Sequence, residues 1–136
     1  VSDWFELNPQ LAGDTHLLID LPLSRVLLMN DKRFPWIILV PRCVDITEFY
    51  QLSQTQCSQL VDEIKLVSKA LVHLFEPHKL NVAALGNMVA QFHVHIIARY
   101  RHDVAWPSPV FGVSGAQMYD EHEVRVLREQ VTQMLG

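Results

Sequence analysis

QFHVHIIARY, residues 91–100, sets two imidazoles one residue apart inside an apolar run. In an extended strand successive side chains point to opposite faces. Phe92, Val94, Ile96, Ala98 and Tyr100 then share one face, nearly all apolar, which belongs against a core. Gln91, His93, His95, Ile97 and Arg99 share the other. Neighbours on that face stand roughly 6.5–7 Å apart, the width of one phosphate group with its hydrogen bonds. Three uses of such a face are open. The histidines are structural and satisfied by neighbours inside the fold. Or they are two ligands of a metal site, with His16 or a carboxylate as a third. Or one of them is the nucleophile of a phosphoryl or nucleotidyl transfer.

The sequence on either side of this run sets the fold. LNVAAL (80–85) reads as a strand, Gly86 and Asn87 as a turn, and 92–100 as the strand that follows. Before them, Cys57, Leu60, Ile64, Val67, Leu71 and Leu74 recur at spacings of three and four, one face of a helix. Ser53 followed by Gln56 has the form of a capping box, and Pro77 ends the helix. Residues 16–22, 25–31 and 36–42 read as three strands, joined by turns at 22–24 and 31–35. VAWPSPVFG (104–112), with Pro107 and Pro109, is an extended loop. Val124, Leu127, Val131 and Met134 mark a C-terminal amphipathic helix, with Asp120 and Glu123 placed as cap and partner. The order β-β-β-α-β-β-α predicts an α+β fold. Its sheet is antiparallel, five-stranded and of meander type, with one long helix and a C-terminal helix packed on it.

A chain of 136 residues fits a single domain, 1–136. Apolar residues make up 49% and charged residues 19%, an ordinary globular composition. The formal net charge of −4 argues against a sequence-independent nucleic-acid binder, which needs a basic face to displace counterions. A small anionic ligand needs only a local pocket. The opening VSDWFELNPQ has no basic n-region and no long apolar run, so no leader is expected. No run has the length of a transmembrane helix, so no membrane role is expected. Cys43 and Cys57 have no metal-binding spacing and read as reduced thiols of a cytoplasmic protein.

QFHVHII resembles the signature of the histidine-triad superfamily, His-φ-His-φ-His-φ-φ with φ apolar. ILVPR (38–42) and the long helix after it resemble the strand and helix of that family. LNVAALGNMVAQFHVHIIAR resembles its block of strand, glycine-containing turn and triad strand. The likeness covers most of residues 16–100. It departs at the first triad position, where Gln91 stands for histidine. It departs again at Asn87 and Met88, where many relatives carry Gln and a hydroxyl residue.

The resemblance implies a nucleotide hydrolase or nucleotidyl transferase that acts at an α-phosphate, needs no cofactor or metal and is a homodimer. Its substrate would be a nucleotide or dinucleotide polyphosphate, with nucleoside phosphoramidates and other adenylyl compounds equally open. With Gln91 first, His93 is the middle position and the nucleophile, and His95 is the third. This register sets Ile96 and Ile97 directly after the third position, as the motif requires. A histidine nucleophile attacks through one neutral nitrogen while the other keeps its proton on an acceptor. His95 is then expected to hydrogen-bond a phosphoryl or bridging oxygen. The amide of Gln91 is expected to donate beside it, although an amide has no acid–base function. Backbone amides near Gly86 and Asn87 are expected at the phosphate, Asn30 and Asp31 at the ribose, and Arg99 at a phosphate. The alternative is a nucleotide-binding sensor or partner module with little turnover.

Overall fold

The computed structural model describes residues 4–136; the first three residues of the stretch read for a leader lie outside the described residues. The chain opens with a short helix, α1 (Pro9–Asp14), that the hydrophobic periodicity did not announce. Its start is nevertheless written locally. Asn8 Oδ1 accepts the amide of Gln10 at 2.8 Å, and Pro9 takes the first turn, where a missing N–H costs nothing.

Three strands follow, β1 (Thr15–Asp20), β2 (Ser24–Met29) and β3 (Trp36–Pro41). Then come α2 (Gln54–Phe75), β4 (Lys79–Ala83), β5 (Val94–Arg99) and α3 (Glu121–Leu135). Both expected capping boxes are present. Ser53 and Gln56 exchange side-chain and backbone bonds at the start of α2, and Asp120 and Glu123 do so at the start of α3.

The sheet is five-stranded and antiparallel throughout, in the order β1-β2-β3-β5-β4. The first three strands are a plain meander. Helix α2 then carries the chain across one face and delivers β4 to the far edge, and β5 returns into the gap between β3 and β4. That insertion makes β3 and β5 central. All six residues of each are buried, which fits the unbroken apolar run WIILVP.

Each face of the sheet has its own core. On one, Val26, Leu28, Ile37, Leu39, Val94 and Ile96 pack against Leu60, Val67 and Leu71 of α2 and Val131 and Leu135 of α3. On the other, Leu27, Trp36, Ile38, Val40 and Ile97 meet Leu11 of α1, Phe34 and Val110. The second face is the one that carries His95 and Arg99. The alternation gave this face its polar residues but not what covers it. Helix α1 and the loop after β5 fold over it.

One polar side chain joins the helix layer to the sheet. Glu63 of α2 is 5% exposed, and its two carboxyl oxygens accept the amides of Leu23 and Ser24 at 2.8 and 2.9 Å. These amides lie where β1 turns into β2. Glu63→Ala strands two buried donors, at about 1–3 kcal/mol for each. Urea denaturation is expected to show a lowered midpoint with an unchanged slope. A midpoint equal to that of the parent would mean that this cap contributes nothing.

Candidate functional site

His95 lies within β5, opposite Ile38 of β3 and Ala83 of β4. His93 lies just before the strand begins. The chain there is held by another segment, since the Phe92 amide donates to the Ile46 carbonyl at 2.9 Å. Residues 84–93 therefore form a loop across the end of the sheet rather than a tight hairpin turn. Gly86 in this loop has φ +74°, the left-handed region that favours glycine.

The two imidazoles meet edge to face, with centroids 4.9 Å apart, and both are buried. Their partners are opposite in kind. His93 Nδ1 lies 2.7 Å from the Gln91 carbonyl oxygen. A carbonyl only accepts, so Nδ1 carries the proton and Nε2 keeps a free lone pair. His95 Nδ1 lies 3.0 Å from Trp36 Nε1. An indole N–H only donates, so here Nδ1 is the acceptor and Nε2 carries the proton. The pair thus presents one nucleophilic nitrogen and one neutral donor. Burial, with His93 beside it, pushes the His95 pKa down to about 4.

These rings line a cavity of about 460 Å³ together with Gly86, Asn87, Trp36 and Phe111. A second hollow of about 390 Å³ adjoins it, sharing Asp14, Met29, Trp36 and Gly112. Asn30 and Asp31 line this second hollow. The cleft is in the size range of small-molecule sites. A larger cavity, about 700 Å³ and lined in part by Lys32, Tyr100 and Tyr119, lies elsewhere and contains neither His93 nor His95.

The structure therefore brings together His93, His95, Gly86 and Asn87, with Asn30 and Asp31 next door. Asn30 and Asp31 also brace the chain before α3. Asn30 Oδ1 accepts the Tyr119 amide, and Asp31 takes the Arg33 guanidinium at 2.8 Å and the Gln117 amide. Burial raises the Asp31 pKa, but the bonds from Arg33 and the amides of Gln117 and Arg33 outweigh it and hold the carboxyl below its usual range.

Two expected residues are used differently. Gln91 was expected to donate to a phosphate. Its amide instead clips the N-terminal segment, with Nε2 donating to Glu6 O at 2.9 Å and Oε1 accepting Asn8 N at 2.8 Å. Gln91 does not line the cleft. Arg99 was expected at a phosphate. It is 2% exposed, and its guanidinium is engaged by Asp103, Asn81 Oδ1 and the Ser108 carbonyl. His16, considered as a third metal ligand, lines a separate cavity beside α3. Among the described residues, no group of three or more His, Cys, Asp or Glu side chains is placed to hold a metal ion.

Trp36 and Phe111 were missed. Their rings stand 5.7 and 4.8 Å from that of His95. A buried indole N–H needs an acceptor, which marks Trp36 as a residue with a partner, but not which one.

An open antiparallel sheet with a long helix on one face and an H-x-H pair at a cleft on the other defines the histidine-triad class. The HIT domain family model matches residues 10–102, and the chain belongs to that family. A histidine triad protein from Bradyrhizobium japonicum is 44% identical with a TM-score of 0.94, over 97% of this chain and 98% of that one. One from Sinorhizobium meliloti is 39% identical with a TM-score of 0.94 over the same shares, 97% and 98%. One from Marinobacter aquaeolei is 44% identical with a TM-score of 0.93, over 96% of each chain. No curated protein sequence gives a significant match. Among the described residues, no helix is long and apolar enough to cross a membrane.

Proposed function

We propose that this protein is a nucleotide hydrolase or nucleotidyl transferase acting at an α-phosphate through a covalent intermediate on His93. The observation that carries the reading is the 2.7 Å contact of His93 Nδ1 with the Gln91 carbonyl. It makes Nδ1 the donor, so that in the neutral ring Nε2 is the unprotonated nitrogen, and His93 lines the cleft. In the first step His93 Nε2 forms a bond to phosphorus, and the bond from phosphorus to the leaving oxygen breaks with its electron pair on that oxygen. In the second, water attacks phosphorus, the P–N pair returns to Nε2, and a proton is released to solvent.

His95 Nε2–H donates to a phosphoryl or bridging oxygen, where charge develops in the transition state. Backbone amides near Gly86 and Asn87 add donors at the same end. Asn30 and Asp31, in the adjoining hollow, take the nucleoside. Gln91 acts through its carbonyl, which orients His93, and Arg99 acts through the loop that it holds. The active form is a homodimer. Val82 on the sheet edge at β4 and Val61 and Val72 on α2 are about half exposed and offer apolar surface for it.

A second reading, nucleotide binding with little turnover, is favoured by one observation. With the Gln91 amide committed to Glu6 and Asn8, the first triad position offers the phosphate no side-chain donor. Incubation with a diadenosine polyphosphate and with adenosine phosphoramidate, followed by product analysis, separates the two. Mononucleotide product from at least one of the two is expected. Saturable binding of both with no product would move the conclusion to the second reading.

A further inference from the structure

We infer that Trp36 is a positioning residue that holds His95 as a neutral Nε2–H donor and so restricts the reaction to leaving groups that depart as anions, a phosphate or polyphosphate chain rather than an amine. The inference rests on the function proposed above and narrows its substrate class.

The geometry is specific. Trp36 opens β3 opposite Ile97, and its indole reaches across β5 to His95 Nδ1 at 3.0 Å. Phe111 closes on the imidazole from another side, with centroids 4.8 Å apart, and packs edge-on against Trp36 at 5.6 Å. Trp36 is 7% exposed and His95 6%, so water does not compete freely for either nitrogen. Protonation at Nδ1 would set an imidazolium N–H against the indole N–H with no acceptor between them. The Nδ1–H tautomer of the neutral ring would do the same.

Nothing around His95 offsets that cost. His93 precedes β5 and adds unfavourable charge when protonated. Among the described residues, Asp14, at the end of α1, is the carboxylate lining the cavity around His95, on an exposed residue, and Asp31 in the adjoining hollow is paired with Arg33. Met29 of β2, Trp36 of β3, Ala83 of β4 and the Phe111 loop bring no charge.

The chemical consequence follows from what each leaving group requires. When His93 Nε2 bonds to phosphorus, a phosphate or polyphosphate oxygen departs with the electron pair as a stable anion, and one hydrogen bond from His95 suffices. An amine nitrogen needs a proton as the P–N bond breaks. The N–H of a neutral imidazole can donate a hydrogen bond, but it is far too weak an acid to give up its proton at accessible pH.

Histidine labelled with ¹⁵N in the ring tests the assignment without turnover, with His95→Ala used to assign the signal. In the parent protein His95 is expected as the Nε2–H tautomer, with no protonation from pH 8 to 5. In Trp36→Phe, which keeps a ring but removes the donor, the Nδ1–H form should appear and the titration should move upward. Each unit of that move raises the protonated fraction about tenfold. The kcat/KM for adenosine phosphoramidate should rise relative to that for a diadenosine polyphosphate by a similar factor. A parent His95 found as Nδ1–H, or protonated above pH 5, overturns the inference even if the variant does not fold. An unchanged tautomer and substrate ratio in Trp36→Phe overturn it too. Absence of product from both substrates, with the tautomer as described, would overturn the proposed reaction and with it the leaving-group rule, while the Trp36 contact stands.

Discussion

His93→Ala is expected to lose nucleotidyl transfer while keeping its fold. The loss should be about 10⁶-fold, as when a covalent nucleophile is removed and only binding and charge stabilisation remain. The fold should survive because the backbone at 92–93 is fixed by the Phe92 amide on Ile46 O and the imidazole hydrogen-bonds only to Gln91 O, two residues away. His95→Ala should fall less, by about 10²–10³, the scale for one donor at developing charge. It leaves Trp36 Nε1 without its acceptor, so some stability is lost as well. Steady-state assays on both variants measure the gap. Mass spectrometry of the rapidly quenched parent enzyme locates the adduct. An adduct on His95 would overturn the assignment, since Nδ1 of that ring is held by the Trp36 N–H and Nε2 of the neutral ring carries the proton.

The parts of this structure legible in the sequence were those with local causes. The period of α2, its Ser53–Gln56 box and the Asp120–Glu123 box at α3 are interactions three or four residues apart. The alternation in 92–100 separated Val94 and Ile96 from His95 and Arg99 correctly, because strand alternation is geometric. The helix-start signal at Asn8 and Pro9 was local too, but too short for periodicity to draw attention to it. What stayed hidden depends on distant pairings. Nothing within β4 or β5 says that β5 inserts beside β3, and only that insertion brings Trp36 to His95, 59 positions away. The Gln91 amide finds Glu6 and Asn8, 85 and 83 positions away. A glutamine with two distant backbone partners looks, in sequence, like one free to bind a ligand. Arg99 was misjudged for the same reason, since the loop that covers it follows it in the chain.

That loop leads to the largest stability effect expected away from the chemistry. Asp103→Ala should destabilise the protein by about 3–5 kcal/mol, the cost of leaving a buried charge without its partner. The Arg99 side chain is 2% exposed and that of Asp103 4%, and they meet at 2.8 Å. Asp103 is also a turn centre, accepting the amides of Tyr100, Ala105 and Trp106. Burial pushes its carboxyl pKa up, but the Arg99 bond and the Tyr100 and Trp106 amides outweigh it and bring it to about 2. A carboxyl with a native pKa below its unfolded value stabilises the fold above the unfolded pKa near 3.8. That contribution disappears as the pH falls through about 2. The stability difference between Asp103→Ala and the parent should therefore hold from pH 5 to 8 and narrow only in strong acid. Arg99→Met with Asp103→Leu should recover the part of the loss that comes from the unpaired Arg99 charge, while the Tyr100, Ala105 and Trp106 amides still lack their acceptor. The cleft should register the change as well. Arg99 also holds the Ser108 carbonyl, on the stretch that leads to Phe111 beside His95. Loosening it should raise KM for any nucleotide substrate while His93 keeps its tautomer. Chemical denaturation and steady-state kinetics of the two variants and the parent provide the check. A single variant within about 1 kcal/mol of the parent, the range of exposed ion pairs, would mean that this pair does not anchor the loop.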